Sequence, residues 1–109
     1  MHTVHPIFRA VLVVVILSAG WSAQASEALA DKNACLNCHG VNNKMVGPAF
    51  SAIAAKYKDR NDAGAYLTEK IAKGSTGVWG QIPMPGMPQV AAEDAKAIAS
   101  WIMALPAKN

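Results

Sequence analysis

One run of five residues constrains this chain more than any other feature. Residues 35–39 read C-L-N-C-H and contain the only two cysteines in the sequence. C-x-x-C-H is the attachment sequence for a covalently bound haem. On a helical turn, the thiols of Cys35 and Cys38 can each add to one haem vinyl group, and an imidazole nitrogen of the adjacent His39 can reach the iron. We therefore predict a chain that folds around one haem c.

Two other kinds of site also contain a C-x-x-C pair. A thioredoxin-like redox pair needs a βαβ context, and no alternating pattern in this sequence predicts a strand. A structural zinc site uses four ligands, usually as two separated pairs. Beyond the first 25 residues, the only thiol or imidazole ligands are Cys35, Cys38 and His39. Haem attachment is therefore the favoured interpretation.

The first 25 residues have the pattern of a secretory signal peptide. Arg9 supplies a positive charge, residues 10–17 are apolar, and Ala23 and Ala25 form a small-x-small cleavage site. The apolar core is shorter than the roughly 20 residues that span a bilayer. We predict export to the periplasm with cleavage after Ala25. An uncleaved membrane anchor is the alternative.

Removal of the first 25 of the 109 residues leaves one domain of 84, residues 26–109. Chains this short bury a limited core and usually need a disulfide, a metal or a cofactor. A disulfide between Cys35 and Cys38 would close too small a loop to add much stability. A haem would instead supply a large apolar surface for a thin protein shell to pack on.

The charge of this domain is weakly positive and scattered. Residues 26–109 carry nine Lys and Arg side chains against seven Asp and Glu, with no basic run of the kind that marks a nucleic-acid-binding surface. We therefore expect no nucleic-acid partner. A mildly basic surface can instead attract an acidic protein.

Helical periodicity predicts an all-α domain. The predicted helices span residues 26–34, 48–58, 63–73 and about 91–104. Ser26 is expected to cap the first and the pair Asn61-Asp62 the third, which Gly74 would end. Trp101 is expected in the core where the first and last helices cross, with the small Ala34 permitting their close approach.

Residues 74–88 are predicted to form one long loop. They contain four glycines and three prolines, a composition that excludes a helix or an inner strand. The loop carries no charge and several large apolar residues, so we expect it to lie against the haem. Loops of this length in small domains are usually functional or disordered.

The loop also supplies the favoured second axial ligand. His39 is the proximal ligand, as the only histidine left after the leader. Met84 lies between two prolines, which can present its thioether from the opposite face at a low ordering cost. Met87 is the first alternative, while Met45 is too close to His39 in sequence and Met103 lies in the last helix. A lysine or an open position also stays possible from the residues alone.

Two further residues are candidates for contacts around the haem. A ligating histidine normally donates its other ring N–H to a carbonyl, and the carbonyl of Pro48, in the turn after the motif, is suitable. Trp79 is a large ring whose N–H needs a partner if it is buried. A haem propionate or a backbone carbonyl would serve.

These residues together resemble a known family. The matching runs are residues 35–39, residues 44–50 (K-M-V-G-P-A-F), residues 73–85 (K-G-S-T-G-V-W-G-Q-I-P-M-P) and residues 99–102 (A-S-W-I). The chain resembles the small monohaem class I c-type cytochromes of bacterial periplasms. The closest likeness is to the short type that delivers electrons to nitrite reductase or terminal oxidases.

The resemblance implies the class I cytochrome c fold, with four short helices around one covalently attached haem and a long Met-bearing loop. It implies that Cys35 and Cys38 form the thioether links and that His39 and Met84 are the axial ligands. This favours Met84 over Met87 more strongly than the spacing alone does.

The resemblance also implies the surroundings of the haem. The carbonyl of Pro48 would accept the His39 hydrogen bond, Trp79 would donate to a propionate, and Lys70 would lie near the propionates. The family often carries an amide side chain that reaches the methionine sulfur, and Gln89 is our candidate for it. The last helix departs from the family because it lacks the expected Ser or Thr cap.

The predicted function is a soluble periplasmic electron carrier rather than an enzyme. Its expected donor is a quinol-oxidising complex, and its expected acceptor is nitrite reductase or a terminal oxidase. We expect a monomer with no stable membrane insertion after cleavage. The alternatives are a membrane-tethered or complex-bound cytochrome subunit, and a haem sensor or enzyme in which Met84 dissociates.

Overall fold

A computed structural model of the chain describes the backbone of residues 21–108 and the side chains of residues 26–108. The elements in chain order are α1 (Trp21–Lys32), a 3-10 turn (Cys35–Asn37), α2 (Phe50–Tyr57), α3 (Ala63–Lys73), β1 (Gly74–Ser75), β2 (Met84–Pro85) and α4 (Ala92–Ala104). The predicted fold class of four short helices is confirmed. Within residues 21–108, no helix has both the length and the apolar character needed to cross a bilayer.

The core forms around α4, which packs against α1, α2 and α3. Its apolar stripe buries Ile98, Trp101 and Ile102. The small residues that are completely buried are Ala30 of α1 and Ala99 of α4, and these allow the two helices to approach closely. The prediction that Ala34 plays this part was wrong, because Ala34 lies beyond the end of α1 and is exposed.

The first helix begins earlier than predicted. Ser26 lies inside α1, so it does not cap it, and the helix ends at Lys32 rather than continuing into the cysteines. Alanine and polar residues with fair helix propensity precede Ser26 and extend the helix upstream. The predicted cleavage after Ala25 falls within α1. Residues 1–20 of the predicted leader lie outside the described residues.

The bounds of α3 agree with the prediction from residue 63 to residue 73, and Gly74 follows it at φ 78°. Asp62 stands at the N-cap position but makes no capping hydrogen bond with its side chain. Its carboxylate instead accepts hydrogen bonds from the guanidinium of Arg60. This hydrogen bond holds the pKa of Asp62 below its usual value. Capping of α3 by Asp62 was therefore a wrong prediction.

The starts of the other two helices follow from their flanking residues. Ala49 precedes α2 in an extended conformation, so the helix begins at Phe50 rather than at Pro48. α4 lacks a side-chain cap, as expected. Glu93 and Asp94 lie in its first turn, where a negative charge interacts favourably with the helix dipole.

The long loop contains a strand pair that the sequence did not predict. β1 and β2 pair antiparallel, with Gly74 opposite Pro85 and Ser75 opposite Met84. Each strand is two residues long and has only one neighbour, so a proline can be tolerated where no second neighbour needs its N–H. The pair closes residues 76–83 into a loop and fixes the backbone of Met84 relative to the end of α3.

Ala34 has a positive φ of 63°, which no other non-glycine residue among those described shares. This left-handed conformation costs an L-residue about 1–2 kcal/mol. Glycine avoids that cost but loses about 0.4–1 kcal/mol through the greater freedom of the unfolded chain. We therefore expect Ala34→Gly to stabilise the protein by about 0.5–1 kcal/mol, measured by denaturant unfolding.

Ala97→Gly is the matched control for this prediction. Ala97 is half-buried and lies in the interior of α4, where glycine costs about 1 kcal/mol. The same chemical change should therefore have opposite signs at the two positions. Equal destabilisation at both would show that the conformation of Ala34 carries no strain.

Candidate functional site

A deep cleft opens between the 3-10 turn, α2, α3 and the residue 74–88 loop. It has a main part of about 600 Å³ and an adjoining part of about 250 Å³. These volumes are in the range of small-molecule and cofactor sites. Both parts are lined by Cys38, His39 and Met84. The fold therefore brings together residues that are more than 40 positions apart in the sequence.

His39 is held by contacts from a single short segment. Its Nδ1 lies 2.7 Å from the carbonyl oxygen of Pro48. Because a carbonyl can only accept, Nδ1 must donate the proton, which leaves Nε2 as the atom free to bind a metal. A Cβ added to Gly47 would come within 2.6 Å of the Cε1 atom of His39, so the backbone of Gly47 lies directly against the ring. A residue with a side chain does not fit at position 47.

Cys35 begins the 3-10 turn and Cys38 directly follows it, and the two form no disulfide. Cys35 is buried and Cys38 is exposed, and Cys38 lines both parts of the cleft while Cys35 lines the smaller one. The backbone N–H groups of Cys38 and His39 both donate to the carbonyl of Cys35, which holds the three residues in one turn. Burial raises the pKa of the Cys35 thiol.

Met84 projects from β2 and is partly buried. It lines both parts of the cleft together with His39. Met87 lines only the smaller part, where it packs against the core and its backbone N–H donates to the carbonyl of Ile71 at 2.9 Å. Met45 is exposed at the rim, and Met103 packs against the core away from the cleft. Among the described methionines, Met84 is the one on a paired strand facing the cleft.

Trp79 and Lys70 both line the main part of the cleft. The ring of Trp79 is 38% exposed and meets Tyr57 edge to face, with the centroids 6.5 Å apart. The Nζ of Lys56 lies 4.9 Å from the centroid of Trp79, and the Nζ of Lys70 lies 5.2 Å from that of Tyr66. Cations over these aromatic faces are favourable contacts.

Tyr57 and Tyr66 also line the main part of the cleft, which the sequence did not predict. Their ring centroids are 5.1 Å apart, and the hydroxyl of Tyr57 donates to that of Tyr66 over 3.5 Å. Burial, followed by the Tyr66 hydrogen bond, raises the pKa of Tyr57 to about 12. In the sequence, both tyrosines belong to the apolar spacing of a predicted helix. Only the folded arrangement of α2 and α3 shows that they line the cleft together.

Two further lining residues were only partly anticipated. Gln89 lies at the smaller part of the cleft, which Met84 also lines, the region in which an amide near the sulfur was expected. Lys108 lines the main part because its backbone N–H donates to the carbonyl of Ser51 in α2. No sequence pattern predicts that the C-terminal segment returns to the cleft.

The residues of the cleft fit a covalently attached haem. Two unpaired thiols are presented on one turn, His39 has one ring nitrogen engaged and the other free, and Met84 lines the same cavity. Apart from three lysines, the ionisable residues that line the main part are one cysteine, one histidine and two tyrosines, and no Asp or Glu is among its lining residues. Such a surface suits an apolar ring that carries acidic substituents.

Comparisons with known proteins agree with this geometry. The Cytochrome c family model matches residues 23–106. The chain is 57% identical over 90 residues to cytochrome c-552 of Nitrosomonas europaea, which covers 83% of this chain and 86% of that protein. It is 43% identical over 95 residues to cytochrome c-552 of Hydrogenobacter thermophilus, which covers 86% of this chain and 95% of that protein.

A solved structure matches as well. The crystal structure of wild-type Nitrosomonas europaea cytochrome c552 superposes with a TM-score of 0.71 at 57% sequence identity. The match covers 72% of this chain and 98% of that one.

Proposed function

Because this chain belongs to the cytochrome c family, we propose that it carries single electrons in the periplasm through one haem that His39 and Met84 ligate. It is a small cytochrome c electron carrier of the monohaem class I type rather than an enzyme. The observation that carries the proposal is that His39 and Met84 line one cleft, which Cys35 and Cys38 also line.

The haem, when bound, supplies a one-electron couple at its iron. Cys35 and Cys38 would hold it through thioether links, and His39 would bind the iron through Nε2. The carbonyl of Pro48 accepts the Nδ1 proton, which fixes the tautomer and raises the basicity of the ring. The thioether of Met84 would be the second protein ligand of the iron, and His/Met ligation would raise the reduction potential. With both ligands bound, the iron would offer a substrate no open coordination position.

Trp79 and Lys70 are the residues that would hold the acidic substituents of the haem. Trp79 could donate its indole N–H to a propionate, and Lys70 lines the same part of the cleft. The apolar part of the lining would keep water from the ring, and this would keep reorganisation small during electron transfer. The domain that does this spans residues 26–109, after cleavage of the leader behind Ala25.

The rim of the cleft is suited to brief contact with a redox partner. Five large apolar side chains are exposed among the described residues, and all of them line the main part of the cleft: Met45, Val46, Val78, Trp79 and Ile82. Lys44 and Lys108 line the same part of the cleft. An apolar patch with nearby positive charge fits the small, transient interfaces of redox proteins. We propose an acidic face of a quinol-oxidising complex as donor, and one of nitrite reductase or a terminal oxidase as acceptor, for a monomeric carrier.

The rate of electron transfer tests this function. In stopped-flow oxidation of the reduced protein by hexacyanoferrate(III), a trivalent anion, we expect Lys44→Gln and Lys108→Gln each to slow the second-order rate by about two- to threefold at 10 mM ionic strength. The Debye length is roughly 30 Å at 10 mM ionic strength and roughly 3 Å at 1 M. The difference in rate between each variant and the wild type should therefore vanish near 1 M.

Lys96→Gln is the matched control, because Lys96 is exposed on α4 and does not line the cleft. It should leave the rate almost unchanged. Equal effects at all three lysines would mean that only the net charge matters and that the cleft rim is not the docking surface. Failure of the reduced protein to transfer an electron at all would contradict the proposed function itself.

A further inference from the structure

The imidazole of His39 has an aromatic neighbour that the sequence did not single out. The ring of Phe50 stacks on it, with the centroids 4.9 Å apart and the planes 17° from parallel. Phe50 is 3% exposed. Offset stacking at this distance is a favourable arrangement of two rings. The contact joins the first residue of α2 to the residue that follows the cysteine pair.

Phe50 is itself held in place from two directions. Its backbone N–H donates to the carbonyl of Gly40 at 2.9 Å, which ties the start of α2 to the turn after His39. The ring of Trp101, from α4, meets the Phe50 ring edge to face at 5.4 Å and 73°. The position of the Phe50 ring is therefore set by the core of the domain rather than by His39.

The hydrogen bond to Pro48 does not by itself fix the plane of the imidazole. It restrains one atom, Nδ1, and the ring can still tilt about the line that joins Nδ1 to the carbonyl oxygen. A near-parallel neighbour such as Phe50 opposes this tilt, because any rotation brings ring atoms into overlap. The backbone of Gly47 restrains the same ring by close approach. Stacking and hydrogen bonding thus restrain different motions.

We propose that Phe50 is a positioning residue that sets the plane of the His39 imidazole and so the direction from which Nε2 meets the iron. This inference rests on the proposed ligation by His39. Pro48 fixes the tautomer and one ring atom, and Phe50 fixes the ring plane. The three restraints on the imidazole are the close approach of Gly47, the hydrogen bond to the Pro48 carbonyl and the stacking of Phe50, and all of them come from residues 47–50. A core aromatic residue would in this way act on the electron-transfer site without contacting the iron.

Nuclear magnetic resonance of the oxidised protein tests the proposal, because the shifts of the haem ring methyl groups depend on the orientation of the axial imidazole plane. Phe50→Leu keeps an apolar side chain but removes the stacking surface. We expect it to redistribute these methyl shifts and to change the reduction potential. Phe50→Tyr keeps the aromatic ring, and we expect this variant to keep the wild-type pattern of methyl shifts. If Phe50→Leu acted only by leaving a cavity that loosens the core, its effect on the methyl shifts would not depend on the loss of an aromatic ring.

Val90→Ala is the control for a loss of core packing. Val90 is buried in the same hydrophobic cluster but lines neither part of the cleft. It should lower stability and leave the methyl shifts in place. If Phe50→Leu yields too little holoprotein, Phe50→Met, whose unbranched and flexible side chain adapts better to an irregular space, gives the same comparison. Unchanged methyl shifts in Phe50→Leu or Phe50→Met would overturn the proposal. A Phe50→Tyr variant that loses the wild-type methyl shifts would overturn it as well.

The failure of this inference can be told apart from failure of the proposed function. If the wild-type protein shows the signals of a bound histidine and the variants share its methyl pattern, ligation by His39 stands and only the positioning role falls. If the wild-type protein itself lacks a bound histidine, the proposed function falls first.

Discussion

Met84→Ala is expected to abolish the weak ferric absorption band that reports an iron–methionine sulfur bond. The expected physical cause is loss of the thioether from the cleft that it shares with His39. Because a thioether ligand stabilises ferrous iron, the reduction potential should fall by an amount on the order of 0.2 V, part of the ~0.8 V range that axial ligands span. Optical spectra and a redox titration of the purified protein measure both effects.

Met87→Ala is the matched control, since Met87 is also partly buried and lines the smaller part of the cleft. It should keep the band and shift the potential far less. If Met87→Ala removes the band and Met84→Ala does not, the ligand assignment is reversed. If the reduced wild-type protein binds carbon monoxide readily, an axial position is open. The alternative of a sensor or enzyme with a dissociable methionine would then replace the electron carrier.

The parts of the fold that the sequence predicted well are those set by local chemistry. α3 has the predicted bounds because its apolar spacing is regular and because Gly74, at φ 78°, ends it where an L-residue would be strained. The thiols of Cys35 and Cys38 lie on one turn because three-residue spacing requires it. Such features depend on few neighbours, so the sequence contains enough information to predict them.

The parts that escaped prediction depend on residues that are distant in sequence. The pairing of Ser75 with Met84 is one example, since each strand is only two residues long and has no alternating pattern. The stacking of Phe50 on His39 is another, because an aromatic residue at a helix start is expected in a core whatever it touches. In both cases the residue types were consistent with the contact, but nothing local selected the partner.

The start of α1 shows a different limit. Ser26 has the right chemistry for a cap, yet the helix passes through it from Trp21. A capping residue competes with the helix propensity of the residues before it, and here those residues favour continuation. After the predicted cleavage behind Ala25, Ser26 would become the first residue. The helix of the mature chain would then begin where the sequence predicted.

Gly74→Ala is expected to be the most damaging glycine substitution in the loop, because two costs add. Gly74 has φ 78°, a conformation that costs an L-residue about 1–2 kcal/mol. An added Cβ would also overlap the carbonyl oxygen of Met84 and lie 2.7 Å from the backbone nitrogen of Gly86. Overpacking of this kind costs about 1–3 kcal/mol more. Denaturant unfolding of the holoprotein should therefore show a loss of about 2–5 kcal/mol.

Gly77→Ala separates the two costs. Gly77 has the same φ of 78°, and no described protein atom lies within 4 Å of a Cβ built there, so within the polypeptide only the conformational cost of about 1–2 kcal/mol should appear. The difference between the two variants measures the contact between β1 and β2. Since Met84 is on β2, Gly74→Ala should also weaken the ferric iron–sulfur band, whereas Gly77→Ala should leave it intact. Equal losses of stability with an intact band in both would mean that the strand pair does not hold the ligand in place.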